Sequence, residues 1–444
     1  MFKNIPQEVI DIITKIEDNG YEAYMVGGCV RDLIMGNTPD DYDICSSALP
    51  RQTMEIFKGE GMVTAGLKHG TVGIIRKKNV YEITTYRLDG EYTDGRHPDS
   101  VAFTDKLGED LLRRDFTINA MAYNPKTGIV DMYGGREDIK KGVIKCVGNP
   151  EERFSEDALR ILRAIRFAAR FNFKVDDATK LAMHKLYPTI EKVSMERITT
   201  EFVKTLQTKK ASEYVDEFRE IIALFIPEIK AMFEFDQKSV WHSFDLWGHT
   251  IKALSYADGD VYVRMAAFLH DIGKPLVFTT DEYGHRHFAS HEQEGAKMAK
   301  KILKRLKCSN DIVDNVSLLI SVHDFTLVDS KKSVKKLLQK LGEDNFNRLM
   351  ILRKADVVAH KEDADENALH LLNKMCELKE EIIKANECFS IKSLAIGGND
   401  LIEMGIAPGP KLGQILNTLL EEVIAENVEN TDSALKDYVN TKLI

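Results

Sequence analysis

Near residue 149 the hydrophobic pattern of the chain changes its period, and no single core accommodates both halves. Before that point short apolar runs bounded by Gly, Asn or Asp recur, namely YEAYMV (21–26), DYDICS (41–46), TVGIIR (71–76) and VYEITTYR (80–87), which is the signature of strands. An amphipathic opening segment reads as a helix, and a second helix follows the Gly-Gly turn at 27–28. After that point helical periodicity dominates, starting with SEDALRILRAIRFAARF (155–171). It is broken by the hairpin-like FTTDEYGHRHF (278–288) and the turn-forming APGPKLG (407–413). The expected fold class is therefore multidomain, an α/β head followed by helical units. A chain of 444 residues exceeds what one core organises, and soft boundaries divide it into units at 1–148, 149–235, 236–368 and 369–444.

Charge narrows the function classes. Sixty-one basic against seventy acidic residues leave a net −9, the wrong sign for a protein that simply coats nucleic acid. The basic residues are nevertheless grouped: Arg160, Arg163, Arg166, Arg170 and Lys174 along one stretch, and Lys297, Lys300, Lys301, Lys304, Arg305 and Lys307 along another. Acids gather elsewhere, as in KEDADEN (361–367). A solvated helix face is the ordinary meaning of such runs. No apolar run approaches the roughly 18–20 residues of a membrane span, the opening segment lacks a secretory pattern, and the six cysteines form no CxxC pair. The expectation is a cytoplasmic protein without a thiolate zinc site or a membrane partner. No obligate protein partner is evident.

Chemistry concentrates in the first 170 residues. Gly27 and Gly28 end a strand and open a helix, where backbone can approach a phosphate chain, and Arg31 lies on the first turn. Asp41 and Asp43 flank Tyr42 in an expected strand. Alternation puts both carboxylates on one face, as a two-metal phosphoryl-transfer site requires. Glu82 on a later strand offers a third acid, although a surface glutamate is its simpler reading. The polar, Gly- and Asp-rich segment 88–100 reads as a mobile loop. Beyond it Arg114 and Asp115, with Asn119 four residues on, can hold a triphosphate and ribose hydroxyls. Asp157 and Arg160, read as i and i+3 on one helix, would present an acceptor beside donors. Cytosine and adenine both show an exocyclic amine next to an acceptor nitrogen, so such a pair would admit C and A and reject U and G.

GGCVRDLIMG, DYDI, RRDFTINAM and EDALRILRAIRF, in this order and spacing, closely resemble the class II tRNA nucleotidyltransferase family of bacterial CCA-adding enzymes and poly(A) polymerases. The resemblance covers about residues 20–175. It implies a polymerase-β-like nucleotidyltransferase head, a neck carrying the nucleotide-reading helix, and helical body and tail units that hold tRNA. Carried over by position, Asp41 and Asp43 match the catalytic Mg2+ ligands. Gly28, Arg31 and Arg114 match nucleotide contacts, Asp157 and Arg160 the base-reading pair, and Arg163 and Arg166 further nucleotide contacts. Members that add only CC resemble one another in lacking the polar loop, which is intact here.

A second set lies in the helical half: His249, His270-Asp271, His291, His323 and Asp356. Histidine nitrogens and a bridging carboxylate suit a first-row divalent ion or a pair of them, whereas any one of these histidines alone is better explained by packing. The ordered set resembles the HD phosphohydrolase superfamily over about residues 245–360, and the two additional histidines imply a binuclear site for a divalent transition metal. Some relatives carrying such a domain act on 2′,3′-cyclic phosphates or 2′-nucleotides.

The expected function is template-independent addition of CCA to the tRNA 3′ end from CTP and ATP by two-metal nucleotidyl transfer. A poly(A) polymerase or A-adding enzyme is the alternative within that chemistry. From another class, the alternative is an HD metal-dependent phosphohydrolase with an RNA-binding head.

Overall fold

A computed structural model describes residues 2, 5–89, 101–238, 243–361 and 365–443. Contacts group the chain into two compact units, Met1–Phe225 and Ile226–Ile444.

In the first unit, α1 (Gln7–Asp18) buries Val9, Ile12, Ile13 and Ile16, one stripe of a helix of period 3.6. It packs on a seven-stranded sheet built from β1 (Ala23–Val26), β2 (Ile44–Ser46), β3 (Gly61–Val63), β4 (Thr71–Arg76), β5 (Asn79–Thr85), β8 (Ala122–Asn124) and β9 (Gly128–Val130). Their order across the sheet is β3-β4-β5-β2-β1-β8-β9. β2 runs parallel to β5 and antiparallel to β1, and all three of its residues are buried, as befits a central strand. A separate ribbon pairs β6 (Arg87–Asp89) with β7 (Val101–Phe103). The helices threaded between these strands are α2 (Gly28–Ile34), α3 (Pro50–Ile56) and α4 (Leu107–Leu112).

Three expectations are corrected here. The strand expected over 41–46 is confined to Ile44–Ser46, with Asp41 and Asp43 in the extended lead-in. The Asp43 carbonyl still accepts from Val26 N at 3.0 Å, so the lead-in follows the line of the strand. The loop expected over 88–100 begins as strand, because residues 88 and 89 belong to β6; residues 90–100 lie outside the described residues. The long helix expected over 155–171 is two, α6 (Pro150–Glu156) and α7 (Leu159–Phe171), after α5 (Gly135–Lys141) and the short β10 (Val143–Ile144). Asp157 stands at the break in an extended conformation, φ −145° and ψ 102°. The unit closes with β11 (Lys174–Val175), α8 (Asp177–Leu186), α9 (Met195–Leu206), α10 (Ala211–Glu217) and α11 (Arg219–Phe225).

The second unit is helical apart from the expected hairpin, β12 (Thr279–Thr280) with β13 (Arg286–His287). α12 (Leu246–Tyr256), α13 (Val261–Leu269), α14 (Lys274–Val277), α15 (His291–Arg305), α16 (Asn310–Val322) and α17 (Lys331–His360) pack on one another. α17 is interrupted at Gly342, whose φ of 71° only glycine adopts without strain. The exposed Lys297 and Lys300 and the Arg305 of α15 pair with Glu294, Asp314 and Glu228, so that basic run is in part a neutralised solvent face. After α18 (Glu366–Lys384), a separate apolar cluster unites α19 (Gly398–Glu403), α20 (Pro410–Ile424) and α21 (Asp432–Tyr438) around Leu401, Leu419 and Leu435. No helix among the described residues is long and apolar enough to cross a membrane.

Candidate functional site

The Gly-Gly turn is shaped by what approaches it. Gly27 has φ 79°, and a Cβ there would stand 2.9 Å from Arg114 Nη1. The positive φ favours glycine here, and the missing side chain lets the Arg114 guanidinium lie against the turn. Arg31, buried on α2, donates from Nε to Asp32 Oδ1 at 2.8 Å and from Nη1 to Asn119 Oδ1 at 2.6 Å. Its guanidinium carbon lies 4.7 Å from the centroid of the Phe171 ring. Asn119 in turn donates to Asp115 Oδ1 at 3.1 Å, and Asp115 Oδ2 accepts from Arg163 Nε and Nη2 at 2.8 and 2.6 Å. Residues from three separate segments are thus tied into one chain of hydrogen bonds. Burial raises the Asp115 carboxyl, but the Arg163 charge and the bonds from Asn119 and Arg163 outweigh it, leaving a pKa of about 2. Arg114 and Asp115, neighbours in sequence, have different partners. Arg114 meets the fully buried Asp110 at 3.1 Å, which Arg113 also clamps.

These groups line a cavity of about 360 Å3 that also includes Gly28, Asp43, Asp157, Arg160, Phe167 and Arg197. Six arginines (31, 113, 114, 160, 163, 197) against three aspartates (43, 115, 157) make its wall positive, which suits a polyphosphate. On one side Asp41 and Asp43 are both exposed while Tyr42 between them packs on the core, so the alternation expected of a strand holds although the strand has not begun. The parallel register Ile44↔Ile83 brings Glu82 beside Asp43, and the outward Glu82 belongs to this acid face. Crowding raises the Asp43 carboxyl to about 6: desolvation first, then the Asp41 charge, with Arg114 opposing and Glu82 adding. Among the described residues neither Asp41 nor Asp43 has a side-chain ion pair. An all-oxygen, unneutralised set of this kind fits a hard divalent cation such as Mg2+.

Asp157 and Arg160 share the cavity but are not neighbours on one helix, because Asp157 lies in the break before α7. Arg160 bonds Glu156 Oε2 at 2.5 Å and the carbonyls of Arg153 and Arg113 at 3.0 and 3.1 Å. Asp157 accepts from Leu159 N at 3.1 Å and from Arg197 Nη2 at 2.7 Å. Each is positioned by a different partner, which leaves an acceptor and a donor as independent elements of one wall. Arg166 is not in that wall. It bonds Glu201 at 2.5 Å and stacks on Phe167 at 4.1 Å, and Glu201 also faces Arg163 at 3.7 Å. The sequence reading missed Arg197 and Phe167 altogether: Arg197 sits in the ordinary-looking helix α9, forty residues from Asp157, without a motif around it.

The expected histidine set converges in the second unit. His249 on α12 faces His270 (Nε2 to Nε2, 3.1 Å), Asp271 (3.3 Å) and Asp356 on α17 (3.1 Å). Asp271 Oδ1 also faces His291 at the start of α15 (3.3 Å) and His323 after α16 (3.6 Å). The group extends to a residue outside the expected set, His360, whose Nε2 is 3.2 Å from Asp356 Oδ1, one turn along the same helix. Its spacing of four residues after Asp356 was the available signal. Three overlapping triads could each hold an ion: His249 with His270 and Asp271, His249 with Asp356 and His360, and Asp271 with His291 and His323.

The buried carboxylates demand positive charge. Against desolvation, His270 and Lys274 hold Asp271 well below the usual range, and His360, His249 and His270 do the same for Asp356. His270 is raised to about 10, burial being overcome by Asp271 and Asp356. Imidazole nitrogens around shared carboxylates are a borderline donor set suited to first-row transition ions, so these residues would suit one or more such ions. The adjoining cavity of about 560 Å3 is lined by Lys274, Arg286, Phe288, Arg353 and Asp365 in addition to ligand candidates.

The Poly A polymerase head domain family matches residues 23–145, the family described as a probable RNA and SrmB-binding site of polymerase A matches 172–233, and the putative tRNA nucleotidyltransferase domain 2 family matches 287–439. A CCA-adding enzyme of Leuconostoc mesenteroides is 34% identical over 445 residues, covering 98% of this chain and 98% of that protein. One from Ligilactobacillus salivarius is 33% identical, covering 98% and 96%. Among solved structures, the CCA-adding enzyme of Bacillus stearothermophilus in complex with CTP is similar at a TM-score of 0.74 and 27% identity, with 98% of both chains covered.

Proposed function

The chain belongs to the CCA-adding enzyme family of tRNA nucleotidyltransferases, and from that premise we infer how its own residues divide the work. The reaction is template-independent addition of CCA to the 3′ end of tRNA from CTP and ATP. The full-length likeness to curated CCA-adding enzymes carries this reading and favours it over a poly(A) polymerase or an enzyme adding only A. The chain is proposed to comprise a head (1–148), a neck (149–235), an HD-type helical unit (236–368) and a helical tail (369–444), and to act in the cytoplasm.

In this reading Asp41 and Asp43, with Glu82 beside them, would hold Mg2+ on the acid face. Bound there, the ions supply Lewis-acid activation of the attacking hydroxyl and neutralise the leaving pyrophosphate. Gly27 and Gly28 let the guanidinium groups of Arg114 and Arg31 lie close against the turn, where they would face the phosphate chain. Asn119 and Asp115 hold Arg31 and Arg163 in register. Asp157 accepts from the exocyclic amine of C or A while Arg160 donates to the adjacent ring nitrogen, and a uracil or guanine edge would set donor against donor. Glu201 positions Arg163 and Arg166. Fixing the geometry before substrate arrives lowers the orientational cost of the reaction. The test uses tRNA lacking CCA, each nucleoside triphosphate alone and then together, and sequencing of 3′ ends. CTP alone should give CC and CTP with ATP should give CCA, whereas a run of A would overturn the assignment.

A second reading adds to the first. The convergence of His249, His270, Asp271, His291, His323 and Asp356 around shared carboxylates supports an HD-type, metal-dependent phosphohydrolase centre, with 2′,3′-cyclic phosphates or 2′-nucleotides as substrates. Hydrolysis of such compounds, together with bound transition metal, tests it. Protein free of both after exposure to Mn2+, Ni2+ and Co2+ would leave the cluster an architectural role.

A further inference from the structure

The cavity beside the histidine cluster contains three basic side chains besides its histidines, and two of them are already neutralised. Lys274 Nζ lies 2.7 Å from Asp271 Oδ2 and donates to Gln237 Oε1 at 3.0 Å. Arg353 meets Asp356 at 2.5 Å and Asp324 at 3.2 Å. Arg286, on strand β13, is different. Its guanidinium carbon stands 4.7 Å from the Phe235 ring centroid and 4.5 Å from that of Phe278, and Nη1 donates to the carbonyl of Asp236 at 2.5 Å. Among the described residues no carboxylate pairs with it. Two rings and one main-chain bond hold the plane of this cation, and among the described residues its other N–H groups meet no acceptor.

A guanidinium whose plane is fixed in this way, with no carboxylate partner among the described residues, presents its N–H groups to an anion entering the cavity. The fixed fork matches the spacing of two oxygens of one phosphate and loses little further freedom on binding. The same cavity is walled by Phe288, Val357 and Ala368, which weakens solvent screening of whatever enters.

We propose that Arg286 is the anion-binding residue of this cavity and that its ligand is the phosphate group of a phosphate ester, held between the guanidinium and the ions of the histidine cluster. The proposal rests on reading that cluster as a metal centre. It goes further in naming the residue that grips the substrate and in assigning the β-hairpin a binding role.

Full-length protein loaded with Mn2+ is titrated calorimetrically with inorganic phosphate and, separately, with phenyl phosphate, for wild type, Arg286→Gln and Arg286→Lys. Metal content is measured on each sample. Binding by the first unit is common to all three proteins and cancels in the comparison. Wild type should show a class of sites that Arg286→Gln weakens roughly tenfold or more, the loss expected for charge-assisted bonds, while its metal content stays the same. Arg286→Lys should recover part of the affinity, and CCA addition should be unchanged in both variants. Equal phosphate affinity in wild type and Arg286→Gln, with metal bound, overturns the clamp and leaves the metal centre standing. Binding of free phosphate without phenyl phosphate overturns the ester as ligand. Wild type that takes up no metal removes the metal centre and the clamp together.

Discussion

The two candidate sites place their carboxylates in opposite surroundings. Asp41, Asp43 and Glu82 are exposed, lie in or beside the central strands of a sheet, and have the positive cavity wall next to them without being locked into it. Asp271 and Asp356 are only 2% and 3% exposed and are surrounded by imidazoles, Lys274 and Arg353. Exposed acids can gain and lose an ion with each turnover at little cost to the fold. Buried acids need permanent positive charge, so their ion, or the protons that replace it, is part of the folded state. Function and stability should therefore separate in the first site and travel together in the second.

The largest effect tests the separation. Asp43→Ala, and likewise Asp41→Ala, should lower nucleotide addition by roughly 10³-fold or more, as expected when several kcal/mol of metal-borne stabilisation is lost. The melting temperature and the metal content of the histidine cluster should stay put. A variant that keeps appreciable turnover, or one that melts well below wild type, breaks the comparison from its first side. Asp271→Ala breaks or keeps it from the other. Removing that carboxylate leaves Lys274 and the facing histidines uncompensated, so stability should fall by about 3–5 kcal/mol and bound transition metal should disappear. Addition of CCA should survive at temperatures where the variant is folded. Parallel loss of addition in the folded variant would mean that the two centres are not independent.

A smaller effect sharpens the account of the first site. Asp157 and Arg160 have separate partners, so they should fail separately. Asp157→Ala should reduce discrimination of CTP over UTP by about tenfold to a hundredfold. Arg197→Ala, which frees the Asp157 side chain without removing it, should cost less selectivity and mostly raise KM. Unaltered selectivity in Asp157→Ala would make that carboxylate a clamp for Arg197 and nothing more.

What could be read in advance follows from how local each determinant is. The TVGIIR strand and the hairpin at 279–287 depend on alternation and turn residues within a few positions, and both were legible. The Gly-Gly turn and the acid pair were legible for the same reason. The break at Asp157 was not, because Glu156, Ala158 and Leu159 all favour helix and nothing in the segment ends one. It is Arg197, reaching from α9, that engages Asp157 in its extended form, a tertiary override of propensity. The same distance hides Arg163's hold on Asp115. The histidine set was legible as residue types in order. Its geometry, and the inclusion of His360, came only with the packing of α12 against α17.

The smallest effect concerns acid stability. Asp115 is 8% exposed and its carboxyl is lowered to about 2 by Arg163 and Asn119 against the effect of burial. Its folded pKa lies below the unfolded value of about 3.9, so the stability it contributes is fully present above that value and is lost as pH falls towards 2. Near neutrality the contribution is about 2–3 kcal/mol. Asp115→Asn keeps the shape of the side chain but gives up the charge that holds Arg163. The gap in urea midpoint between wild type and this variant should thus be widest from pH 6 upwards and should narrow steadily between pH 4 and pH 3. Unlike Asp271, Asp115 contributes without any ion, so adding or removing divalent metal should leave the gap unchanged. A gap that is independent of pH over this range would show that Asp115 acts by shape and hydrogen bonding alone, and that charge is not what ties Arg163 to the nucleotide cavity.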